Sequence, residues 1–309
     1  MDAIKVVTGA GPVGWNVATQ LAQAGQRVRV LTRSGSGPDH ELIERRRVDV
    51  SEPAALSQAL EGADAVFHCI HGSKYSAEAW RRELPDAEQT VLAAAGGAGA
   101  VVVFPESLYS YTTPETGMVE TGPRDAQGGK RGIRTALLAA RQASATPTVS
   151  VAASDFFGPR VRTAHAGDRM VPLVLAGKRV QVVGSATIPH SFTYVPDLAA
   201  AMIRATEKPE LWNSVLHAPT NAPLTQRELA TAFATAAGLS APKVSAIPGW
   251  VIKGLGIALP DMRELAETLY QFQAPFILDS TASEQLLGLA PTPLPTAAGQ
   301  TVQWWRSQG

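Results

Sequence analysis

The sequence has few of the features that mark several common classes of protein. Its 309 residues include a single cysteine, Cys69, which excludes an internal disulfide and a cysteine-rich metal site. The 27 basic residues balance 27 acidic ones, so the charge indicates neither a nucleic-acid nor an anionic-membrane partner. No apolar run reaches transmembrane length, and the N-terminus lacks a secretory pattern. We expect a cytoplasmic protein with a small-molecule substrate; its oligomeric state stays open.

Two kinds of catalytic motif are also missing from the sequence. The six histidines show no spacing with acidic residues such as H-E-x-x-H, so we expect no metal site. No G-x-S-x-G motif is present to indicate a hydrolase.

The most informative stretch of the sequence is a glycine-rich turn near its start. A β-branched run over 4–8 leads into G-x-G-x-x-G, and apolar residues then recur at helical spacing. In this context the glycines let the backbone approach a pyrophosphate, and the helix N-terminus offers N–H groups. The pattern predicts a dinucleotide site formed by Gly9, Gly11, Pro12, Val13 and Gly14. The alternative is a turn that only lets a helix pack on a strand.

Strand and helix patterns alternate through the first half of the chain. Strands are expected at 4–8, 27–32, 46–50, 64–70, 99–104 and 148–153, and helices at 13–24, 53–60, 76–95 and 130–144. The alternation predicts an α/β fold, a Rossmann-type doubly wound parallel sheet with ligands at the carboxyl ends of the strands. Residues 1–155 would form the dinucleotide-binding domain. Residues 156–309 would form a smaller, mixed substrate lobe with elements returning to the main sheet.

The residues after the second strand favour NADP(H) over NAD(H). An NAD site usually carries an acidic residue about twenty positions beyond the glycines, whereas this strand ends in Leu31-Thr32-Arg33-Ser34. The Arg33 guanidinium suits a 2′-phosphate, with Ser34 beside it. The alternative is that Arg33 is a solvated loop charge. Asp49 and Val50 are expected to end the third strand, near the adenine.

The layout resembles the extended short-chain dehydrogenase/reductase family, which includes nucleotide-sugar epimerases and dehydratases. The resemblance rests on Thr8–Gly14, Asp49-Val50, Asp64–His68, Val101–Tyr111, Gly158-Pro159 and Tyr194–Ala199. The spacing between the first two glycines is one residue shorter than in the family's T-G-x-x-G-x-x-G motif, so the sequence is closer to atypical members.

The resemblance also implies catalytic residues, with one departure. Ser107 fits the family's Ser or Thr after the fifth strand, and Lys130 fits the lysine that binds the nicotinamide ribose. Four residues before Lys130 the family has a tyrosine, and this sequence has Ala126. The resemblance therefore implies a retained cofactor half of the site and a changed acid/base half.

Three side chains are candidates for the missing proton donor. In an extended strand Tyr109 and Tyr111 would face the same way as Ser107, and an ammonium at Lys130 would favour the phenolate of Tyr109, which lies next to Ser107. His71 follows the fourth strand, where it would lie beside the cofactor and shuttle a proton. The alternative for these residues is a packing role. Cys69 and Phe156 are expected near the cofactor, Cys69 as a packing residue.

Together these features predict an NADP(H)-dependent oxidoreductase. It would act on a carbonyl or conjugated double bond of a small, lipophilic or aromatic metabolite, with Ser107, Tyr109, Lys130 and His71 as catalytic residues. Two alternatives stay open. One is an epimerase or dehydratase in which the hydride returns to the same substrate. The other is a non-catalytic NADP(H)-binding regulatory protein.

Overall fold

The β-branched runs of the sequence form parallel strands in the computed structural model, which describes residues 3–308. The strands are β1 Ile4–Thr8, β2 Val28–Thr32, β3 Ile43–Arg47, β4 Ala63–His68, β5 Val101–Ser107, β6 Thr148–Ala153, β7 Asp155–Phe157, β8 Val180–Val183, β9 Phe192–Tyr194, β10 Ser214–His217 and β11 Val244–Ile247.

α-Helices alternate with these strands through much of the described chain. They are α1 Pro12–Gln23, α2 Pro53–Ala59, α3 Ala77–Ala98, α4 Gly129–Gln142, α5 Val171–Leu175, α6 Val195–Thr206, α7 Gln226–Ala236, α8 Gly249–Leu255, α9 Pro260–Glu267, α10 Thr281–Leu287 and α11 Leu294–Arg306. In the part of the chain that the structure describes, none of them has the length and apolar character needed to cross a membrane.

The central sheet has seven parallel strands in the order β10-β6-β5-β4-β1-β2-β3. The strand order reverses beside β1, with β4 on one side and β2 on the other. The first glycine turn, at the carboxyl end of β1, therefore lies at the position where doubly wound sheets bind ligands. The predicted Rossmann-type fold is confirmed.

The third strand lies three residues earlier in the chain than predicted. The third strand was expected at 46–50, but β3 covers Ile43–Arg47 and pairs with β2 from Val28↔Ile43 to Thr32↔Arg47. It is an edge strand whose charged residues stay largely exposed, so only Ile43 supplies the buried apolar anchor. Val50 enters the core from the turn that follows, and the expected placement of Asp49 and Val50 at the strand end is wrong.

The chain divides into two units, each assembled from several segments. The first contains the chain up to Ser110, Ala126–Ala152 and Leu198–Ala218, and it holds the seven-stranded sheet. Its core includes Val6, Leu31, Val66, Val102 and Phe104, which α2 and α3 cover. The domain boundary expected at residue 155 stays a prediction.

The second unit contains Tyr111–Asp125, Ala153–Asp197 and the chain from Pro219. Two short parallel pairs, β7 with β9 and β8 with β11, pack with α5, α7 and α11 around an apolar core. Buried His190 bonds the Asp155 carboxylate at 2.7 Å and the Gln271 carbonyl oxygen at 3.0 Å. Burial alone would raise the pKa of Asp155, but the hydrogen bond with His190 lowers it, and the resulting pKa is below the usual value.

Helix α7 begins with the capping box expected from the sequence. The Thr225 hydroxyl accepts from the Glu228 N–H, and the Glu228 carboxylate accepts from the Thr225 N–H. These hydrogen bonds lower the pKa of Glu228, so the box stays ionised at neutral pH.

Replacement of the cap should weaken this helix measurably. We expect Thr225→Ala to lower the free energy of unfolding by about 1 kcal/mol, because the first turn loses its side-chain acceptor. Urea denaturation measures the change. The control is Thr231→Ala, in the middle of the same helix, which should change stability by less than about 0.5 kcal/mol. Equal effects of the two variants would contradict a role for the cap.

Candidate functional site

The turn between β1 and α1 is built for a close backbone approach. Gly9 has φ +88°, and a Cβ there would lie 3.0 Å from the Cys69 carbonyl oxygen. A Cβ at Gly14 would overlap the Gly9 carbonyl oxygen, so both positions require glycine. In contrast, a Cβ at Gly11 would meet no atom within 4 Å. The space over Gly11 is therefore open.

This geometry fits the pyrophosphate of a dinucleotide. Gly11 is the N-cap of α1 and supplies no side chain to the first turn, so the helix N-terminus is available to an anion. Pro12 lies in the first turn and has no N–H, so it shapes the start of the helix. Val13 is buried in the core. Cys69 packs under Gly14, and burial raises the pKa of its thiol, which stays neutral.

Arginine side chains flank the carboxyl ends of β2 and β3. Arg33 follows β2 and is exposed, and Arg47 at the end of β3 donates from Nε to the Arg33 carbonyl oxygen at 2.9 Å. Within residues 3–308 neither guanidinium has a carboxylate at ion-pair distance. Ser34 donates to the Ser36 hydroxyl in the same turn. Asp49 has a lowered pKa, chiefly because Ser51 donates to it, and Arg33 adds to this effect.

Ser107, at the end of β5, is positioned by the residue before it. Its N–H and its hydroxyl both donate to Glu106 Oε1, at 2.7 and 3.1 Å. The Glu106 carboxylate also accepts from Arg141 at 2.7 Å and lies 3.5 Å from Arg134. Since the Ser107 hydroxyl donates its proton to Glu106, its oxygen keeps the capacity to accept a hydrogen bond.

The charges beneath Ser107 form a buried network. Arg141 donates to both oxygens of Glu88, at 2.7 and 2.6 Å, and to the Ser150 hydroxyl at 3.0 Å. Burial alone would raise the pKa of Glu106, but Arg134 and Arg141 outweigh it and the pKa is lowered. Glu106 is therefore a carboxylate at neutral pH. Two arginines and two glutamates balance each other in the interior.

An aromatic cluster lies along the same unit, centred on buried Trp80 of α3. The Tyr109 ring is nearly parallel to the indole with centroids 6.2 Å apart, and the His71 and Tyr75 rings contact it edge-on at 4.7 and 5.4 Å. The Arg134 guanidinium lies over the indole at 4.8 Å. We name Trp80, Tyr109, Tyr75 and His71 the aromatic wall.

Lys130 opens α4 and is fully buried. Its ammonium lies 4.9 Å from the centroid of the Tyr75 ring, a cation–π distance. Ala126, four residues earlier, is buried in a loop. Its carbonyl oxygen accepts a hydrogen bond from the Thr135 hydroxyl. The lysine thus adjoins a phenol, although no phenol precedes it by four residues.

The chain was compared with known proteins at the level of sequence and structure. A family model described as "NAD dependent epimerase/dehydratase family" matches residues 5–214, more than half of the chain. The chain belongs to the NAD dependent epimerase/dehydratase family. No curated protein sequence matches it.

Several solved structures of epimerase/dehydratase folds are similar along the full chain. The Bordetella bronchiseptica enzyme WbmH, solved in complex with NAD+, has 19% identity and a TM-score of 0.74, with 100% of each chain covered. The UDP-N-acetylglucosamine 4-epimerase from Methanobrevibacter ruminantium M1 has 18% identity and a TM-score of 0.78, covering 100% of this chain and 99% of its own. At these identities the likeness shows the fold alone.

Several site residues of this epimerase/dehydratase chain lie differently from what its sequence suggested. Strand β5 ends at Ser107, so the assumed extended run through Tyr109 and Tyr111 is wrong. Tyr109 lies in the turn after the strand and reaches the aromatic wall. Tyr111 belongs to the second unit, where its buried hydroxyl donates to the Val119 carbonyl oxygen and burial raises its pKa to about 12.

His68, the last residue of β4, and His71, three residues later, are both neutral at neutral pH. Desolvation lowers the pKa of buried His68 to about 4, and its Nδ1 shares a 2.9 Å hydrogen bond with Thr8. Desolvation and the charge of Arg134 also lower the pKa of His71, although that residue is solvent-exposed. A neutral imidazole is a weak acid, so His71 is poorly suited to give up a proton at pH 7.

Phe156, the last of the predicted cofactor residues, lies in the second unit. It belongs to β7 and is half-buried, beside Phe157 in the core. Within residues 3–308 no group of three histidine, cysteine or acidic side chains is placed to hold a metal ion.

Sequence reasoning missed several residues of the site. Arg134 and Arg141 lie four and eleven residues beyond Lys130, on the same face of α4 as buried Ile133 and Leu137. Charges at the apolar positions of an amphipathic helix are the signal that could have revealed them. Tyr75 carries no such signal, because its role depends on the path of the loop before α3.

The buried His68 predicts a specific acid sensitivity. The unfolded chain binds a proton at this residue near pH 6.5, whereas the folded chain binds it only near pH 4. Stability should therefore fall as the pH falls through this range, by on the order of 2–3 kcal/mol. Urea denaturation at several pH values measures it. His68→Asn keeps a hydrogen-bonding atom for Thr8 and should show a shallower decline; equally steep curves would contradict the assignment.

Proposed function

We propose that this protein is an NADP(H)-dependent oxidoreductase. It reduces, or reversibly oxidises, a carbonyl or conjugated double bond of a small lipophilic or aromatic metabolite. The observation that carries the proposal is the aromatic wall directly after Ser107 and beside Lys130. Aromatic faces with a few directed polar atoms suit a flat apolar substrate better than a sugar rich in hydroxyl groups.

The nucleotide would be held by the first unit. The open space over Gly11 and the N-terminus of α1 would take the pyrophosphate, and Lys130 would bind the ribose hydroxyls. Arg33 and Arg47 present two guanidinium groups where a 2′-phosphate would be bound, with Ser34 as a further donor. When bound in its reduced form, the nicotinamide dinucleotide supplies a hydride.

The protein's own residues would position the substrate and move the proton. Ser107 accepts a hydrogen bond from a substrate hydroxyl, and a turn of its own O–H would bind the corresponding carbonyl. The Tyr109 hydroxyl is the proton donor that we favour, because His71 is neutral. His71 then contributes to the apolar edge of the site through its contact with Trp80.

The cofactor preference can be tested by calorimetry with purified protein. We expect NADPH to bind at least about tenfold more tightly than NADH, a difference of about 1.4 kcal/mol, and Arg33→Ala to abolish the preference. Arg45→Ala is the matched control, because Arg45 is on the edge strand but pairs with Asp39. Equal affinities in the wild type would contradict the NADP assignment. If neither nucleotide binds, the glycine turn only lets α1 pack on β1 and does not form a cofactor site.

The reaction type is tested by turnover. A panel of aromatic aldehydes, ketones and enones should oxidise NADPH in the presence of the wild-type enzyme. Ser107→Ala should lower kcat/KM about a hundredfold, because the substrate oxygen loses its positioning group. Ser57→Ala, exposed on α2, is the control. Interconversion of sugar nucleotides without net NADPH oxidation would replace this proposal with an epimerase, and tight binding without any turnover would favour a regulatory protein.

A further inference from the structure

Two phenols from separate loops meet in the aromatic wall. Tyr75 comes from the loop before α3, and Tyr109 from the turn after β5. Their hydroxyl oxygens are 2.5 Å apart, at the short end of O–H···O hydrogen bonds, and either atom is able to donate. Short bonds of this kind are typical where one partner is ionised, because the negative oxygen attracts the shared proton more strongly.

A buried cation lies beside this pair. The Lys130 ammonium is 4.9 Å from the centroid of the Tyr75 ring. A positive charge at this distance favours the phenolate form of the pair over the neutral form. Burial of the lysine strengthens that interaction, because little water screens it.

Packing holds the pair in place from the inner side. Tyr109 lies nearly parallel to Trp80, and Tyr75 meets the same indole at an interplanar angle of 88°. Trp80 is itself fixed against Leu84, Ile133 and Leu137. On the outer side Tyr75 is 46% exposed, so its hydroxyl end is accessible to a ligand.

We infer that Tyr75 and Tyr109 act as one acid/base group, in which Tyr75 is a further catalytic residue and Lys130 stabilises the anion left after proton transfer. The inference rests on the proposed function and assigns the proton donor of that site. It places the chemistry of the absent tyrosine at 126 on two loops instead of on the helix that carries the lysine.

The proton transfer balances within the pair. In the reducing direction an O–H bond of the pair breaks and a new O–H bond forms on the substrate oxygen. The electron pair of the broken bond stays on the tyrosine oxygen, and the remaining phenol of the pair donates to it. Water returns the proton after product release, and oxidation runs through the same steps in reverse.

Charged and titratable groups face the pair from several elements. Lys130 faces Tyr75 from α4, and Arg134 of the same helix lies across Trp80. His71 contacts the indole edge-on at 4.7 Å and is neutral. Arg131 donates to the Tyr109 carbonyl oxygen at 3.3 Å. The Glu106 carboxylate, whose charge reaches His71, opposes the anion, but it is paired with Arg134 and Arg141. Lys130 is the cation in contact with the pair, and it favours the anion.

The direct test is the ionisation of the tyrosines, followed by ultraviolet absorbance without cofactor or substrate. One wild-type tyrosine should ionise at least tenfold more readily than free tyrosine, whose pKa is about 10. Tyr111 and Tyr194 should not ionise in the same pH range, because burial raises the pKa of Tyr111 to about 12 and also raises that of Tyr194. This early step, the ionisation of one tyrosine at a pH below that of free tyrosine, should disappear in Tyr75→Phe and in Tyr109→Phe. It should move to higher pH in Lys130→Met.

Kinetics separate a catalytic role from a structural one. Tyr75→Phe keeps the ring contacts with Trp80 and Lys130, and should lower kcat at least about tenfold with little change in KM. The wild-type reduction rate should fall at high pH, where the pair has lost its proton. This fall should be absent in Tyr75→Phe. Unchanged kcat and pH profile in Tyr75→Phe, or a wild type whose tyrosines all ionise at or above about pH 10, would overturn the inference.

Failure of the proposed function would look different from failure of this inference. If no carbonyl substrate is turned over but the early tyrosine is present and lost in both Phe variants, the proposed reaction is wrong and the proton-sharing pair stands. If substrates are reduced and no early tyrosine is found, the oxidoreductase stands and the pair is not its acid.

Discussion

The Arg141 guanidinium, enclosed between two buried carboxylates, is the constraint on which the rest of the site depends. It joins Glu88 of α3, Glu106 of β5 and Ser150 of β6 through hydrogen bonds of 2.6 to 3.0 Å. Such a network adds little to net stability, but loss of one partner leaves a buried charge that costs about 3–5 kcal/mol. The elements therefore keep their register, and with it the position of Ser107.

A series of packing contacts leads from that buried network toward solvent. Arg134 faces the Glu106 carboxylate with one part of its guanidinium and covers Trp80 with its plane. Trp80 in turn orients the rings of Tyr75 and Tyr109. Glu106 at 3% exposure and Trp80 at 1% are buried, whereas Tyr75 at the outer end is 46% exposed. The interior thus fixes the alignment of the rings in the outer layer.

Much of the fold could be predicted from the sequence, because strand alternation and the glycine turn are local patterns. The edge strand β3 was misplaced, since its charged residues hide the pairing with β2 that defines it. Within the candidate site, Ser107 and Lys130 were predicted from the spacing of the family that the sequence resembles, and their roles stay a prediction. Tyr75 was not, because nothing local in a loop residue indicates that its hydroxyl meets Tyr109. A contact between residues of two separate loops leaves no periodic pattern in the sequence from which it could be predicted.

The origin of the two phenols in separate loops affects how such a site could diversify. A tyrosine on the same helix as the lysine has its distance from that lysine set by helical geometry. Tyr75 instead reaches Lys130 from the segment before α3, and Tyr109 from the turn after β5. Insertions in either loop would retune the reach and angle of the phenols while α4 stays unaltered. The fold would then accommodate substrates of different shapes while the position of Lys130 on α4 stays the same.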